Sequence, residues 1–236
     1  MEWAAEISGM FRRIFASRNK GASFPRHCSL CGYHGWFTPA GRPQRIDVRC
    51  PRCGSTERSR LMALWIGRNV QWLSTASALH FAPERGMADL LRKSARHYVS
   101  ADLAPGRADR VINIEHIDAA DDSFDCVVCS HVLEHVDDRR ALAEIHRVLK
   151  PGGVALIMLP VIEGWAQTYE TGAARTPEER KRHFGQSDHL RLYGADVRER
   201  IRAAGFNLDE LTAEGEDVLR YGLQRGEKLF IGRKNA

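Results

Sequence analysis

The sequence predicts an α/β fold built on a parallel sheet, with a small cysteine-rich module before it. Residues 124–159 run from an apolar strand through an amphipathic helix to a second apolar strand, which is the pattern of a βαβ unit. Polar residues cluster where the first of these strands ends, and open parallel sheets bind their ligands at that edge. Two Cys-x-x-Cys pairs lie nearer the N-terminus and indicate a separate metal-binding module.

Length and composition fit one substantial domain with a small appendage. The chain has 236 residues, of which 43% are hydrophobic and 28% charged. No apolar run is long enough to span a bilayer. Residues 1–20 predict an amphipathic helix, but Glu2, Glu6, Arg12 and Arg13 interrupt the apolar core that a signal peptide needs. We therefore expect a cytoplasmic protein without a membrane span.

The net charge of +5 has two possible explanations, general solvation of the surface and a nucleic-acid partner. Most positive residues are interspersed with acids, which favours general solvation of the surface. Basic clusters at residues 42–60 and 175–182 keep a nucleic-acid partner under consideration. The sequence makes no prediction about the oligomeric state.

Residues 21–58 predict a zinc ribbon with a structural zinc ion. The two Cys-x-x-Cys pairs have the spacing of a four-thiolate site, and a glycine follows each pair. Trp36, Phe37, Ile46 and Val48 predict a hairpin between the pairs. Disulfides and free thiols are the alternatives, and a cytosolic location disfavours disulfides. The predicted ligands are Cys28, Cys31, Cys50 and Cys53.

Cys126 and Cys129 have the same spacing but lie within a predicted strand. Residues three apart in a strand point to opposite faces, so these two thiols do not converge on one ion. They are interpreted as small buried apolar residues.

The remaining elements follow in chain order. A helix is predicted over Ser55–Trp72, where Leu61, Leu64 and Trp65 are available for packing, and another over Gly194–Ala204, ending at Gly205. Apolar, bounded segments predict seven strands. These are Ala76–Phe81, His97–Ala101, Arg110–Ile114, Phe124–Ser130, Val154–Leu159, Phe206–Leu211 and Lys228–Gly232.

The stretch SFDCVVCSHVLEHVDDRRALAEIHRVLKPGG resembles the class I S-adenosylmethionine-dependent methyltransferases, in particular their type-11-like group. The resemblance covers roughly residues 77–232 and implies a Rossmann-like, seven-stranded, mostly parallel sheet with helices on both faces. The predicted methyltransferase domain spans residues 59–236. Another doubly wound nucleotide-binding domain would share the framework, but the polar residues also match. The implied cofactor is S-adenosylmethionine.

The cofactor loop departs from the family pattern. Where the family has an acid and a glycine-rich turn, this chain has LHFAPERG, so that His80 replaces the acid while Ala82 and Glu84 replace two glycines. Only Gly86 matches a family glycine. The chain resembles a subgroup in which LHFAPE follows a zinc ribbon, and Glu84 is expected to supply the carboxylate. The alternative is a degenerate loop that no longer binds cofactor.

The resemblance assigns the other cofactor contacts to the ends of successive strands. Asp102 ends the second strand and is expected to accept hydrogen bonds from the ribose hydroxyls. Asn113 takes the position that faces the adenine amine, with Leu103 and Ile114 flanking the ring. The predicted cofactor-binding residues are Phe81, Ala82, Glu84, Gly86, Asp102, Leu103, Asn113, Ile114, Ser130 and His131.

Three residues after the fourth strand are candidates for catalysis. His131 and His135 are the first candidates for a general base, because imidazole titrates near neutral pH, and Glu134 lies between them. Helix capping or structural hydrogen bonding is the alternative for Glu134 and His135.

Residues 162–193 form a polar insertion, predicted to be a lid over the substrate. Its candidate substrate residues are Trp165, Tyr169, His183, His189, Arg191 and Tyr193. Packing of the insertion is the alternative role for several of them. Because the lid is rich in hydrogen-bonding residues, the expected acceptor is a small molecule or a sugar-like metabolite. Methylation of RNA or protein, and a non-catalytic interaction module with a relic cofactor fold, are the alternatives.

Overall fold

The computed structural model describes residues 25–41 and 43–236 and divides them between two compact units. The first unit contains the described residues up to Leu64 together with Ala213–Glu227, and the second contains Trp65–Thr212 and Lys228–Ala236. The predicted helix over residues 1–20 lies outside the described residues. The sequence prediction ran the second domain unbroken from residue 59 to 236, whereas the structure groups residues 213–227 with the first unit.

Thirteen strands and seven α-helices occur in the described residues. The strands are β1 (Arg26–His27), β2 (His34–Gly35), β3 (Thr38–Ala40), β4 (Arg45–Arg49), β5 (Ser77–Phe81), β6 (His97–Asp102), β7 (Arg110–Val111), β8 (Phe124–Ser130), β9 (Leu149–Met158), β10 (Tyr169–Glu170), β11 (Arg191–Leu192), β12 (Asn207–Thr212) and β13 (Lys228–Arg233). The helices are α1 (Glu57–Arg68), α2 (Val70–Leu73), α3 (Arg85–Ser94), α4 (Asp138–Val148), α5 (Pro177–Phe184), α6 (Val197–Ala203) and α7 (Gly215–Tyr221).

The predicted hairpin of the first unit is present as β3 and β4, which pair antiparallel. Phe37 and Val48 are buried, whereas Trp36 and Ile46 are half exposed, so the segment has one inner and one outer face. Arg60 of α1 is fully buried, with its guanidinium 4.5 Å from the centre of the Phe37 ring. It donates hydrogen bonds to the carbonyls of Val48, Ser55, Tyr221 and Gly222. One arginine thereby ties the hairpin, the second cysteine pair and the end of α7 together.

The second unit contains the predicted seven-stranded sheet, in the order β12-β13-β9-β8-β5-β6-β7. The five strands from β9 to β7 are parallel, and β13 runs antiparallel to both of its neighbours. Strand β5 lies between β6 and β8, so the chain builds outward on one side of β5 and then crosses to the other. The strand order therefore reverses between β5 and β8, which is where open α/β sheets bind ligands.

Most predicted bounds agree with the structure to within a few residues, and three differ. The strand predicted at Val154–Leu159 begins earlier, because β9 runs from Leu149 to Met158. The predicted helix Ser55–Trp72 is two helices, because Asn69 leaves helical geometry and its side-chain amide donates to the Trp65 carbonyl. The predicted strand Arg110–Ile114 pairs with β6 only as far as Val111. Among the described residues, no helix is long and apolar enough to cross a membrane.

Candidate functional site

The carboxyl ends of the central strands are in register and bring the predicted site residues to one edge of the sheet. Phe81 at the end of β5 pairs with Ala101 of β6 and with Cys129 of β8. Ser130 then pairs with Met158 of β9. Residues that follow these positions, among them Ala82, Asp102 and His131, therefore emerge together at the point where the strand order reverses.

The first turn after β5 keeps a glycine-like backbone without a glycine. Ala82 has a φ of +47°, in the left-handed region that residues with a Cβ rarely adopt. Its amide donates to the Ala101 carbonyl at 2.9 Å, which holds the turn against β6. Glu84 is at the N-cap position of α3, where its side chain makes no capping hydrogen bond, and Gly86 lies in the first turn of that helix. Four amide groups at the start of a helix lack intrahelical partners, so this end favours a carboxylate ligand.

His80 occupies the position where the family pattern has an acid. Its side chain is buried and presents no charge at this edge of the sheet. It is 1% exposed, and its Nδ1 lies 3.0 Å from the Tyr98 hydroxyl. Burial lowers the pKa of His80 to about 4, although the charge of Glu84 opposes that shift. A neutral imidazole in the core cannot replace a carboxylate, which leaves Glu84 as the acid within the loop itself.

The low pKa of His80 predicts a pH-dependent stability. Unfolded histidine titrates near 6.5, so between about pH 6.5 and 4 only the unfolded state binds this proton. The free energy of unfolding should therefore fall as the pH drops through that range, by ~3 kcal/mol from this residue. Denaturant unfolding of the wild type and of His80→Asn across this range tests it. A gap between the two curves that stays constant with pH would contradict the assignment.

The predicted ribose and adenine residues occupy the loops after β6 and β7. One carboxylate oxygen of Asp102 accepts from the Ala104 amide at 2.8 Å, which fixes the side chain at the strand end. Leu103 is 61% exposed, whereas Ile114 is buried in the main core. The Asn113 side-chain oxygen accepts from the Glu115 amide at 3.0 Å.

His131 and Glu134 form a hydrogen-bonded pair after β8. The imidazole Nδ1 lies 3.0 Å from Oε1 of Glu134, and Glu134 is 1% exposed. Burial alone would raise the pKa of Glu134, but the hydrogen bond and charge of His131 outweigh it, so that pKa lies below its ordinary value. A carboxylate only accepts, so the proton of a neutral His131 is on Nδ1 and the lone pair is on Nε2. His131 has a φ of +55°, in the left-handed region that residues with a Cβ rarely adopt, and such backbone strain clusters at functional sites.

The end of the insertion is bound to the turn that carries Glu134. This turn is a 3-10 helix, Leu133–His135. The Leu190 amide donates to the Glu134 carbonyl at 2.8 Å, and His135 Nδ1 lies 3.2 Å from the Asp188 carbonyl. The rings of His135 and His189 meet edge to face, with their centroids 4.8 Å apart. His189, predicted as a lid residue, thus lies beside two of the predicted catalytic residues.

Arg191 and Tyr193 pack the insertion against the domain. Arg191 is 7% exposed and donates to the carbonyls of Leu133 and Val136. Tyr193 is 1% exposed, and its hydroxyl lies 3.0 Å from the Asp138 carboxylate and 3.1 Å from the Leu133 carbonyl, so its single proton donates to one of these two acceptors. Their side-chain polar groups are satisfied by protein, which corresponds to the packing role that was the alternative in the sequence prediction.

The outer part of the insertion is exposed. Trp165 and Tyr169 are about two-fifths exposed, and the Tyr169 hydroxyl lies 2.7 Å from His183 Nδ1. Helix α5 begins with a capping box between Thr176 and Glu179. Of the predicted lid residues, Trp165, Tyr169 and His183 are the ones whose side chains are open to a ligand.

The four predicted metal ligands of the first unit converge. Cys28 Sγ lies 3.6 Å from Cys53 Sγ, and Cys31 Sγ lies 3.7 Å from Cys50 Sγ. A tetrahedral zinc site with bonds of about 2.3 Å places its sulfurs about 3.7 Å apart, so the cluster fits that ion. The glycine after each pair, Gly32 and Gly54, has a positive φ and bonds back to the first cysteine of its pair.

One residue of this cluster was not predicted from the sequence. The Ser55 hydroxyl lies 3.3 Å from Cys28 Sγ and 3.2 Å from Cys53 Sγ, so it can donate to a thiolate. A serine two positions after the last cysteine was the only available signal. Cys126 and Cys129 are fully buried and outside the cluster, and burial raises the pKa of Cys126 to about 12.

Comparison with known proteins agrees with the sheet topology. A profile of the family described as "Methyltransferase domain" matches residues 67–157. The ubiquinone/menaquinone biosynthesis C-methyltransferase UbiE of Haemophilus ducreyi is 44% identical over 61 residues, which are 24% of this chain and 24% of that protein. The chain thus matches only about a quarter of the length of such curated relatives.

Solved structures share the fold at low sequence identity. A SAM-dependent methyltransferase from Archaeoglobus fulgidus superimposes with a TM-score of 0.51 at 14% identity, covering 75% of this chain and 94% of that one. An S-adenosylmethionine-dependent methyltransferase from Mesorhizobium loti gives 0.50 at 15% identity, covering 74% and 100%.

Proposed function

We propose that this chain, whose second unit is a class I S-adenosylmethionine-dependent methyltransferase domain, transfers a methyl group to a small-molecule or sugar-like acceptor. The observation that carries the proposal is the convergence of Ala82, Asp102 and the His131–Glu134 pair where the strand order reverses. The left-handed turn at Ala82 argues against a degenerate loop, because it keeps the close backbone approach for which the family uses glycine.

The residues present fit the cofactor. Asp102 would accept from the ribose hydroxyls, Asn113 would face the adenine amine between Leu103 and Ile114, and Glu84 would pair with the ammonium group beside the first turn of α3. Phe81, Gly86 and Ser130 would line the approach. Bound S-adenosylmethionine supplies an electrophilic methyl group on a sulfonium.

His131 is the proposed general base. Its Nδ1 faces the ionised Glu134, so the lone pair is on Nε2, a buried atom without a hydrogen-bond partner among the described residues, which would take the proton of an acceptor bound against it. Glu134 fixes the tautomer and orients the ring, and it stabilises the imidazolium that forms. This pair is useful for an acceptor that carries a proton at neutral pH, such as a hydroxyl group.

Replacing Asp102 tests the proposal directly. Asp102→Ala should weaken S-adenosylmethionine binding by about 2–4 kcal/mol, because two hydroxyl contacts to a charged acceptor are lost together. Isothermal titration calorimetry gives the affinity. Asp118→Ala, an exposed acid on a loop of the same unit, is the matched control and should bind as the wild type does. Equal affinity in both variants would show that the cofactor does not lie where we propose.

The exposed part of the insertion is predicted to be required for turnover. Replacing Gly172–Gly185 with a short Gly-Ser linker should abolish turnover of any acceptor that the wild type methylates, because water would reach the sulfonium. S-adenosylmethionine affinity should stay within a few-fold, since the linker spares the contacts of Thr168 and Glu170.

Hydrogen exchange distinguishes this lid from a packing element. In the free protein, residues 172–187 should exchange faster than residues 188–193, whose groups are bound to the Leu133–His135 turn. Cofactor and acceptor together should slow the first segment. Full protection of residues 172–187 without ligand would contradict the lid.

We also propose that the cysteine cluster holds one structural zinc ion. The sulfur separations support this occupant, and four thiolates leave no position for water or substrate. Its proposed role is to hold the first unit folded.

A further inference from the structure

A second group of metal-ligating side chains lies in the methyltransferase domain. Glu134, His135 and His189 each offer one ligand atom, and these atoms all lie within 4.8 Å of one another. Two of the three are on the 3-10 turn after β8, and the third comes from the segment before β11. The hydrogen bond from the Leu190 amide to the Glu134 carbonyl holds the two segments together.

Two buried polar atoms of this cluster are unpaired. Glu134 is 1% exposed and His189 is 5% exposed. Neither Oε2 of Glu134 nor Nδ1 of His189 has a hydrogen-bond partner among the described residues. Leaving a polar atom buried and unsatisfied is destabilising, and more so when the atom is charged. Both atoms belong to residues of one cluster, so a single ligand could satisfy them together.

The other polar atoms of the cluster form the outer hydrogen bonds that usually orient metal ligands. His135 Nδ1 donates to the Asp188 carbonyl at 3.2 Å, which leaves its Nε2 lone pair for a cation. His131 Nδ1 donates to Oε1 of Glu134, which leaves Oε2. A histidine or carboxylate ligand is characteristically oriented by such an outer hydrogen bond, and here two of the three ligands have one.

We propose that Glu134, His135 and His189 bind a divalent late first-row transition metal, such as Zn²⁺ or Co²⁺. Two imidazoles and one carboxylate suit these ions, whereas Mg²⁺ and Ca²⁺ prefer oxygen ligands throughout. Tetrahedral coordination with bonds of about 2.0–2.1 Å needs ligand atoms about 3.3 Å apart, so ligand atoms now up to 4.8 Å apart must approach one another by up to about 1.5 Å. The His135 side chain is 30% exposed and can supply that movement. Three protein ligands leave a fourth position open.

Cobalt titration of the full-length protein that carries one zinc ion per chain, in the cysteine cluster, tests the site without cofactor or acceptor. One additional Co²⁺ per chain should bind, with d–d absorption and without the sulfur-to-cobalt charge-transfer band that ligation by the cysteine cluster would give. Glu134→Gln and His189→Asn should each weaken this binding by at least about 100-fold, because each removes a direct ligand. His183→Asn, a lid histidine outside the cluster, is the matched control and should bind Co²⁺ as the wild type does.

Paramagnetic proton NMR of the wild-type cobalt form tests the same site without relying on a variant that folds. Two strongly shifted imidazole spin systems are expected. No additional Co²⁺, a charge-transfer band in place of d–d absorption alone, or equal affinity in folded Glu134→Gln and His183→Asn would overturn the site. Since the assay needs no S-adenosylmethionine, failure of the metal site and failure of the proposed methyl transfer are distinguishable.

Discussion

Cys50→Ser should lose the zinc ion that we propose for the cysteine cluster, and with it the fold of the first unit. The variant removes one of four thiolates whose sulfurs lie 3.6–3.7 Å apart in pairs. Apparent binding energies of structural zinc are about 10–16 kcal/mol in small zinc modules, and most of that energy is folding energy. Elemental analysis of protein purified without added metal measures the first effect, and limited proteolysis of residues 25–64 measures the second.

Cys126→Ser is the matched control, because the same substitution is made at a fully buried thiol in β8. It should retain zinc in near-stoichiometric amount, although a buried hydroxyl without a partner is expected to lower stability. Equal zinc content in the two variants would refute the four-cysteine assignment.

Arg191→Ala should destabilise the second unit by about 3–5 kcal/mol. The buried guanidinium donates to the carbonyls of Leu133 and Val136 and pairs with Glu170 at 3.0 Å. Truncation would leave two carbonyls without this donor and would remove one of the two arginines that Glu170 contacts. Denaturant unfolding gives the change in free energy.

Arg202→Ala is the control for this variant. Its ion pair with Glu199 is 3.5 Å long and exposed on both sides, so its loss should cost less than about 1 kcal/mol. A similar loss of unfolding free energy in both variants would mean that Arg191 does not anchor the insertion. Hydrogen exchange at Leu190, which should accelerate in Arg191→Ala and not in Arg202→Ala, places the effect at the Leu133–His135 turn.

The sequence determined the features that depend on near neighbours in the chain. Strand β8 has the predicted bounds, because an apolar run ending in polar residues specifies a buried strand locally. The paired cysteine spacing likewise identified four ligands that the structure brings together. The seven-stranded, mostly parallel architecture followed from the resemblance carried by the same stretch.

Only the tertiary structure decided which distant residues meet. His189 lies 54 positions after His135 in the chain, yet their rings touch because the insertion folds back onto the turn after β8. Arg191 and Tyr193 are polar in sequence but buried, because the carbonyls of that turn and Asp138 satisfy them. Ala82 keeps a left-handed turn, although a residue with a Cβ disfavours it, because the hydrogen bond from its amide to the Ala101 carbonyl holds the turn against β6. Local patterns carry periodicity and spacing, whereas the pairing of buried polar groups depends on contacts between segments that no local pattern encodes.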